Sequence, residues 1–191
     1  MSLEHAPVDT ASAWVSRFAP LVAPGGLVLD MACGGGRHAR HFAALGYSVD
    51  AVDRDAMVIS NLAQANASIA ALVADLEDSP WPYEGRRFAG IVVTNYLHRP
   101  LFPLLCESLA PGGVLIYETF MLGNERFGRP SNPDFLLRPG ELLVAFGATL
   151  SVVAFEQGEV MLPKPAVVQR ICAVKTDDTA DTTYTTRLRL P

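Results

Sequence analysis

Three observations predict an α/β fold, a mostly parallel sheet with helices on both faces. Short apolar runs of strand length alternate with segments of helical period. Glycine-rich and Pro-Gly-Gly breaks separate them. One run, Phe88 to Thr94, is apolar almost throughout, as a strand covered on both faces must be. The chain's 191 residues suit one ordinary domain, and a half-hydrophobic composition with 18% charged residues argues against general disorder.

The elements follow in order. Trp14, Val15, Phe18 and Leu21 fall at helical spacing, predicting a helix over 11–18. After Pro24-Gly25-Gly26 comes a buried strand, Leu27 to Leu29. Arg37 to Leu45 reads as a helix stopped by Gly46. A strand over 47–52, a helix over 55–65 and strands over 69–74 and 88–94 follow. A helix over 101–109 leads through the Pro111-Gly112-Gly113 turn into a strand over 114–119. The end differs: a helix over 138–146, then β-rich runs over 149–155 and 166–175. The loop between these runs, with Pro163 and Pro165, is too short for a crossover helix, so they should pair as an antiparallel hairpin at a sheet edge. Residues 177–191, rich in Thr and Asp, read as a mobile tail after a domain spanning 1–176.

Charge and cysteine usage narrow the function classes. The net charge of −5 argues against a nucleic-acid partner. No apolar run approaches the roughly 20 residues of a membrane span. The start, MSLEHAPVDT, lacks the apolar core of a secretory signal, so a cytoplasmic location is expected. Cys33, Cys106 and Cys172 form neither a disulfide framework nor a zinc pattern.

The most informative segment is VLDMACGGGRHARHFAALGYSVDAVDRD, Val28 to Asp55. A strand runs into Cys33-Gly34-Gly35-Gly36 and a helix follows at once. Such glycines let backbone approach a ligand, and the helix start offers free N–H groups. Asp53 ends the next strand, where a carboxylate accepts hydrogen bonds from both hydroxyls of a ribose. Gly34-x-Gly36-x-x-Ala39 also fits a dinucleotide loop, so an NAD-linked oxidoreductase stays open. Asp30 favours a ligand bearing an ammonium group over a pyrophosphate, and Arg37 is placed to pair with a carboxylate. S-adenosylmethionine carries both groups.

In order and spacing, these motifs resemble the class I S-adenosylmethionine-dependent methyltransferases over residues 24–175. LDMACGGGRHA resembles the first motif, AVDRD the ribose-binding end of strand two, and LVADLEDSPWP the third motif. FAGIVVTNYLH and ESLAPGGVLIYETF resemble the fourth motif and the turn into strand five. GGGR and NPDFLLRPGELLVAFG suggest the small-molecule, tellurite-resistance-type enzymes within the class. Ala89 departs from the Asp common at the head of strand four. The resemblance implies a Rossmann-like seven-stranded sheet, order 3-2-1-4-5-7-6 with the last strand antiparallel. It implies Asp30, Cys33, Gly34, Gly36, Arg37, Asp53, Arg54, Asp75, Leu76 and Asn95 around S-adenosylmethionine, with S-adenosylhomocysteine as product.

The acceptor site of such a fold lies beyond the carboxyl ends of the strands. That expectation places Asn95, Tyr96, His98 and Arg99, and Glu118 to Phe120, around a small-molecule acceptor. His98 is the candidate general base and Tyr96 a candidate wall of the pocket. The loop Met121 to Pro133 is long enough for a lid, with Arg126, Phe127 and Arg129 suited to an anionic acceptor. His38 and His41 share a helix face, where solvent or cofactor contact is favoured over metal. A non-catalytic partner subunit of the same fold is the remaining alternative.

Overall fold

In a computed structural model of the chain, residues 10–176 are described; the tail expected over 177–191 lies outside them. The sheet has seven strands in the order β3-β2-β1-β4-β5-β7-β6. These are β1 (Leu27–Met31), β2 (Ser48–Asp53), β3 (Ile69–Val73), β4 (Phe88–Thr94), β5 (Leu109–Phe120), β6 (Ser151–Val160) and β7 (Ala166–Val174). Pairing is parallel from β3 through β5, and β7 runs antiparallel to both its neighbours.

Side-chain alternation divides the core between the faces of the sheet. On one face Leu29, Ile91, Val93, Leu115, Tyr117 and Ile171 pack with α4 (Phe102–Ser108) and α5 (Glu141–Phe146). On the other, Val28, Val49, Val92, Ile116 and Cys172 pack with α1 (Ala13–Phe18), α2 (Arg37–Ala44) and α3 (Ala56–Ala65). The nearly unbroken apolar character of β4 follows, because both its faces are covered.

Three boundaries differ from expectation by three residues or more. The helix expected over 138–146 starts at Glu141, because Gly140 sits at φ +72°, outside helical geometry. The strand expected over 149–155 runs to Val160, where the hairpin register still pairs Val160 with Ala166. Pro111-Gly112-Gly113 lies inside β5: Gly112 N–H donates to Lys175 O at 2.7 Å and Lys175 N–H to Gly113 O at 2.9 Å, so the end of β7 takes the bend into the ladder. No helix among the described residues is long and apolar enough to cross a membrane.

Candidate active site

A cleft of about 430 Å³ opens at the carboxyl ends of β1 to β5, a size that suits a small ligand. Of the residues expected in the site, Asp53, Arg54, Asp75, Leu76, Asn95 and Tyr96 line it. Ala32, Ala74, Glu77, Leu97, Thr119, Phe120, Pro130 and Phe135 complete the wall. Among these, Thr119 and Phe120 were expected from their place after strand five. Ala32, Glu77, Pro130 and Phe135 stand in or beside motif segments, but no sequence signal separates them from their neighbours.

The end of the cleft at β1 and β2 is held by backbone geometry. Asp53 accepts hydrogen bonds from Gly34 N–H at 2.8 Å through Oδ2 and from Asp55 N–H at 3.0 Å through Oδ1. One carboxylate thus joins the end of β2, the glycine loop and the entry to α3, and each oxygen keeps a lone pair for a ligand. Asp55 in turn caps α3, accepting from Met57 and Val58 N–H. Around Gly34 and Gly35 no atom lies within 4 Å of where a Cβ would stand, so the loop faces open space. Ala32 (φ +51°) and Asn95 (φ +55°) occupy the left-handed region, an uncommon conformation for side-chain-bearing residues that clusters at functional sites.

Several expected residues take other positions. Gly36 does not line the cleft: a Cβ there would meet Leu62 Cδ1 at 2.5 Å, so its bare backbone serves the packing of α2 against α3. Cys33 is buried and turns its thiol toward Gly34 O; burial raises its pKa. Asp30 lies beneath the loop, 1% exposed, with Oδ2 accepting Ala39 N–H at 2.8 Å at the start of α2. Its Oδ1 is buried with no hydrogen-bond partner. Burial pushes its carboxyl up to about 7, against the Ala39 hydrogen bond and the charges of Arg37 and Arg40. Arg37 donates to Thr10 O at 3.4 Å.

His38 touches neither solvent nor cleft. It is 1% exposed, and its Nε2 accepts Ser12 N–H at 3.3 Å while Nδ1 lies 3.3 Å from Thr94 Oγ1. A backbone N–H can only donate, so the ring proton belongs on Nδ1. Burial pushes this histidine down to about 3, so it stays neutral and ties the entry of α1 to the end of β4. Among the described residues no group of three or more His, Cys, Asp or Glu is placed to hold a metal.

The far end of the cleft is built by side-chain clamps. Arg99, expected beside an acceptor, is committed elsewhere: Nε and Nη2 reach Glu141 at 2.5 and 3.1 Å, while Nη1 and Nη2 donate to Asp134 O and Leu136 O at 2.9 and 3.0 Å. Burial alone would raise Glu141, but the hydrogen bonds from Arg99 and Arg138 N–H outweigh it and hold the carboxyl low. Asn124 donates to Pro130 O and accepts Val167 N–H, both at 3.1 Å, fastening the long loop to β7. Arg126 pairs with Glu159 at 2.6 Å and Glu118 with Arg170 at 2.5 Å. His98 is half-buried and is not among the cleft-lining residues; its carbonyl accepts Leu101 N–H in a 3-10 turn. Tyr96 does line the cleft, with its hydroxyl raised by burial and by the carboxylates of Glu77 and Asp75, so it stays protonated.

Residues 28–113 match the profile of a family described as a methyltransferase domain. No curated protein sequence matches the chain. Among solved structures it is similar to TehB from Haemophilus influenzae, at 18% identity and a TM-score of 0.74 over 87% of this chain. That alignment takes in 63% of TehB, so the chain spans less than two thirds of its length. It is similar to a TehB-like SAM-dependent methyltransferase from Corynebacterium glutamicum, 22% identical with a TM-score of 0.59 over 85% and 88% of the two chains. It is also similar to the glycopeptide N-methyltransferase MtfA complexed with (S)-adenosyl-L-methionine, 19% identical with a TM-score of 0.60 over 92% and 99%. Likeness at these identities shows the fold, the seven-stranded sheet on which these methyltransferases are built, and the family match over 28–113 spans its glycine loop and the strands from β1 to β4.

Proposed function

We propose that the chain, as one domain over residues 1–176, transfers a methyl group from S-adenosylmethionine to a small-molecule acceptor by in-line displacement. The observation that carries this reading is the cleft itself, where Asp53, bonded to the open glycine loop through Gly34 N–H, stands with Asp75 at the carboxyl ends of parallel strands. The site fits the cofactor. Asp30 Oδ1, buried without a partner, suits the ammonium of the methionine end, and Gly34 and Gly35 leave it room. Asp53 would accept the ribose hydroxyls, Asp75 and Leu76 would border the adenine, and Asn95 would stand beside the sulfur.

The cofactor supplies a methyl group already activated on a sulfonium. The protein's part is to hold the acceptor atom in line, which contributes ~7–11 kcal/mol of barrier lowering. Leu97, Phe120 and Phe135 exclude water from the acceptor end, which Tyr96 also lines. His98, away from the cleft wall, drops out as general base. A cytosolic setting belongs to the same reading, in keeping with three free, buried cysteines.

Titration calorimetry with S-adenosylhomocysteine, with NADH as control, tests this. Micromolar binding of the first and none of the second is the expected result. Asp53→Ala should weaken S-adenosylhomocysteine at least tenfold, about 1.4 kcal/mol. Tight NADH binding without an S-adenosylhomocysteine signal would overturn the reading.

A further inference from the structure

Resting on that reading, we propose that the acceptor is a small aromatic amine that stacks on Phe135 and is drawn in by Glu77. Phe135 is 51% exposed although it lines the cleft, so a large apolar ring is left uncovered where a ligand would lie. The ring does not hang on a loose segment. The carbonyls on either side of it, of Asp134 and Leu136, are both gripped by the Arg99 guanidinium. Asn132 accepts Asp134 N–H at 3.1 Å, and Leu136 and Leu137 are buried. An aromatic platform fixed in advance loses little conformational entropy when a flat ring stacks on it. Phe120 and Pro130 line the same cleft.

Charge selects further. The cleft wall carries Asp53, Asp75 and Glu77 against one cation, Arg54. The arginines of the flanking elements are committed: Arg99 to Glu141, Arg126 to Glu159 and Arg170 to Glu118. Arg129 adjoins Pro130 in sequence but is exposed and does not line the cleft. An oxyanion or carboxylate acceptor would give up its hydration for a wall of like charge. With Asp53 and Asp75 occupied by the cofactor, Glu77 remains, and its charge is felt at the neighbouring Tyr96 hydroxyl. A cation or a polarised N–H over aromatic faces beside a carboxylate is the complementary ligand. In the transfer, the lone pair of the unprotonated amine forms the new nitrogen–carbon bond as the sulfur–carbon bond breaks. The electron pair of the broken bond stays on sulfur, and the methylated ammonium releases its proton to water. The likeness to tellurite-resistance-type enzymes is thereby narrowed to the fold, since the one cation of this wall, Arg54, stands among three carboxylates that a metalloid oxyanion would face.

Calorimetry on the protein saturated with S-adenosylhomocysteine tests the proposal, using benzylamine, benzyl alcohol, benzoate and selenite as probes. Benzylamine should bind, benzyl alcohol more weakly, and benzoate and selenite should give no signal. Phe135→Ala should weaken benzylamine at least tenfold with S-adenosylhomocysteine affinity unchanged. Glu77→Gln should weaken benzylamine several-fold and leave benzyl alcohol unaffected. Benzoate or selenite binding in preference to benzylamine would overturn the proposal, as would a Phe135→Ala protein that holds benzylamine undiminished. Failure of S-adenosylhomocysteine itself to bind would overturn the methyl-transfer reading instead, and this inference with it.

Discussion

The two ends of the cleft are built by different means. At the proposed nucleotide end the parts are close in sequence and the ties run to backbone: Asp53 to the amides of Gly34 and Asp55, Asp30 to the amide of Ala39, two residues at positive φ. At the proposed acceptor end the ties are side chains that reach across the chain. Arg99 grips residues 35 to 42 positions away, Asn124 reaches Val167, and Gln169 accepts Leu142 N–H at 2.7 Å and donates to Arg138 O at 3.1 Å. The first construction lets backbone approach a ligand whose chemistry does not change. The second fixes a wall whose side chains can be exchanged while the sheet stays as it is.

If the two ends are mechanically separate, damage to one should spare the other. Gln169 is fully buried, and Gln169→Leu would leave the buried Leu142 N–H unpaired at the start of α5. A loss of about 3 kcal/mol is expected from the urea midpoint, with S-adenosylhomocysteine affinity changed less than twofold. A parallel loss of affinity would show that the ends act as one unit.

A smaller effect sharpens the nucleotide end. Burial raises the Asp30 carboxyl from its ordinary 3.8 to about 7, so the empty folded protein holds a proton there that the unfolded chain releases. That contribution to stability is present at low pH and is lost as pH rises through about 7. A ligand ammonium favours the carboxylate, so affinity should rise with pH and level off above 7: S-adenosylhomocysteine should bind roughly tenfold more weakly at pH 6 than at pH 8. Asp30→Asn should flatten that profile. Affinity is the readout to use, because His38, lowered to about 3, acts on stability in the opposite sense, its contribution falling away as pH drops below its ordinary 6.5.

The smallest effect concerns Ala32, an alanine at φ +51°. Ala32→Gly relieves the left-handed strain but adds chain entropy to the unfolded state, for a net gain of about 0.5 kcal/mol in thermal melting. A loss in its place would show that the methyl group packs productively in the loop.

Much of the parallel half could be read from residues alone. Strands covered on both faces announce themselves as apolar runs, and Gly34 and Asp53 stand at the ends of such runs, where turn and ligand chemistry are local. Phe135 could not be read in this way. In sequence it looks like any core phenylalanine, and its exposure depends on a guanidinium 36 positions away. The place of His98 could not be read either, for the matching reason: it follows strand four, but the chain turns there into a 3-10 segment that leaves it off the cleft wall. Arg99 and Arg126 look like free cations in sequence, and their carboxylate partners, Glu141 and Glu159, lie 42 and 33 positions away.

The alternation of strand and helix, the hairpin at the edge, the glycine loop and the acid that closes it are written in the residues themselves. Each of these is set by periodicity or by the backbone freedom of a few adjacent residues. Which charges are spent on one another, and which ring stays open to the cleft, follows from the assembled fold. Ion pairs and exposure are properties of side chains brought together by the fold, and no local pattern records them.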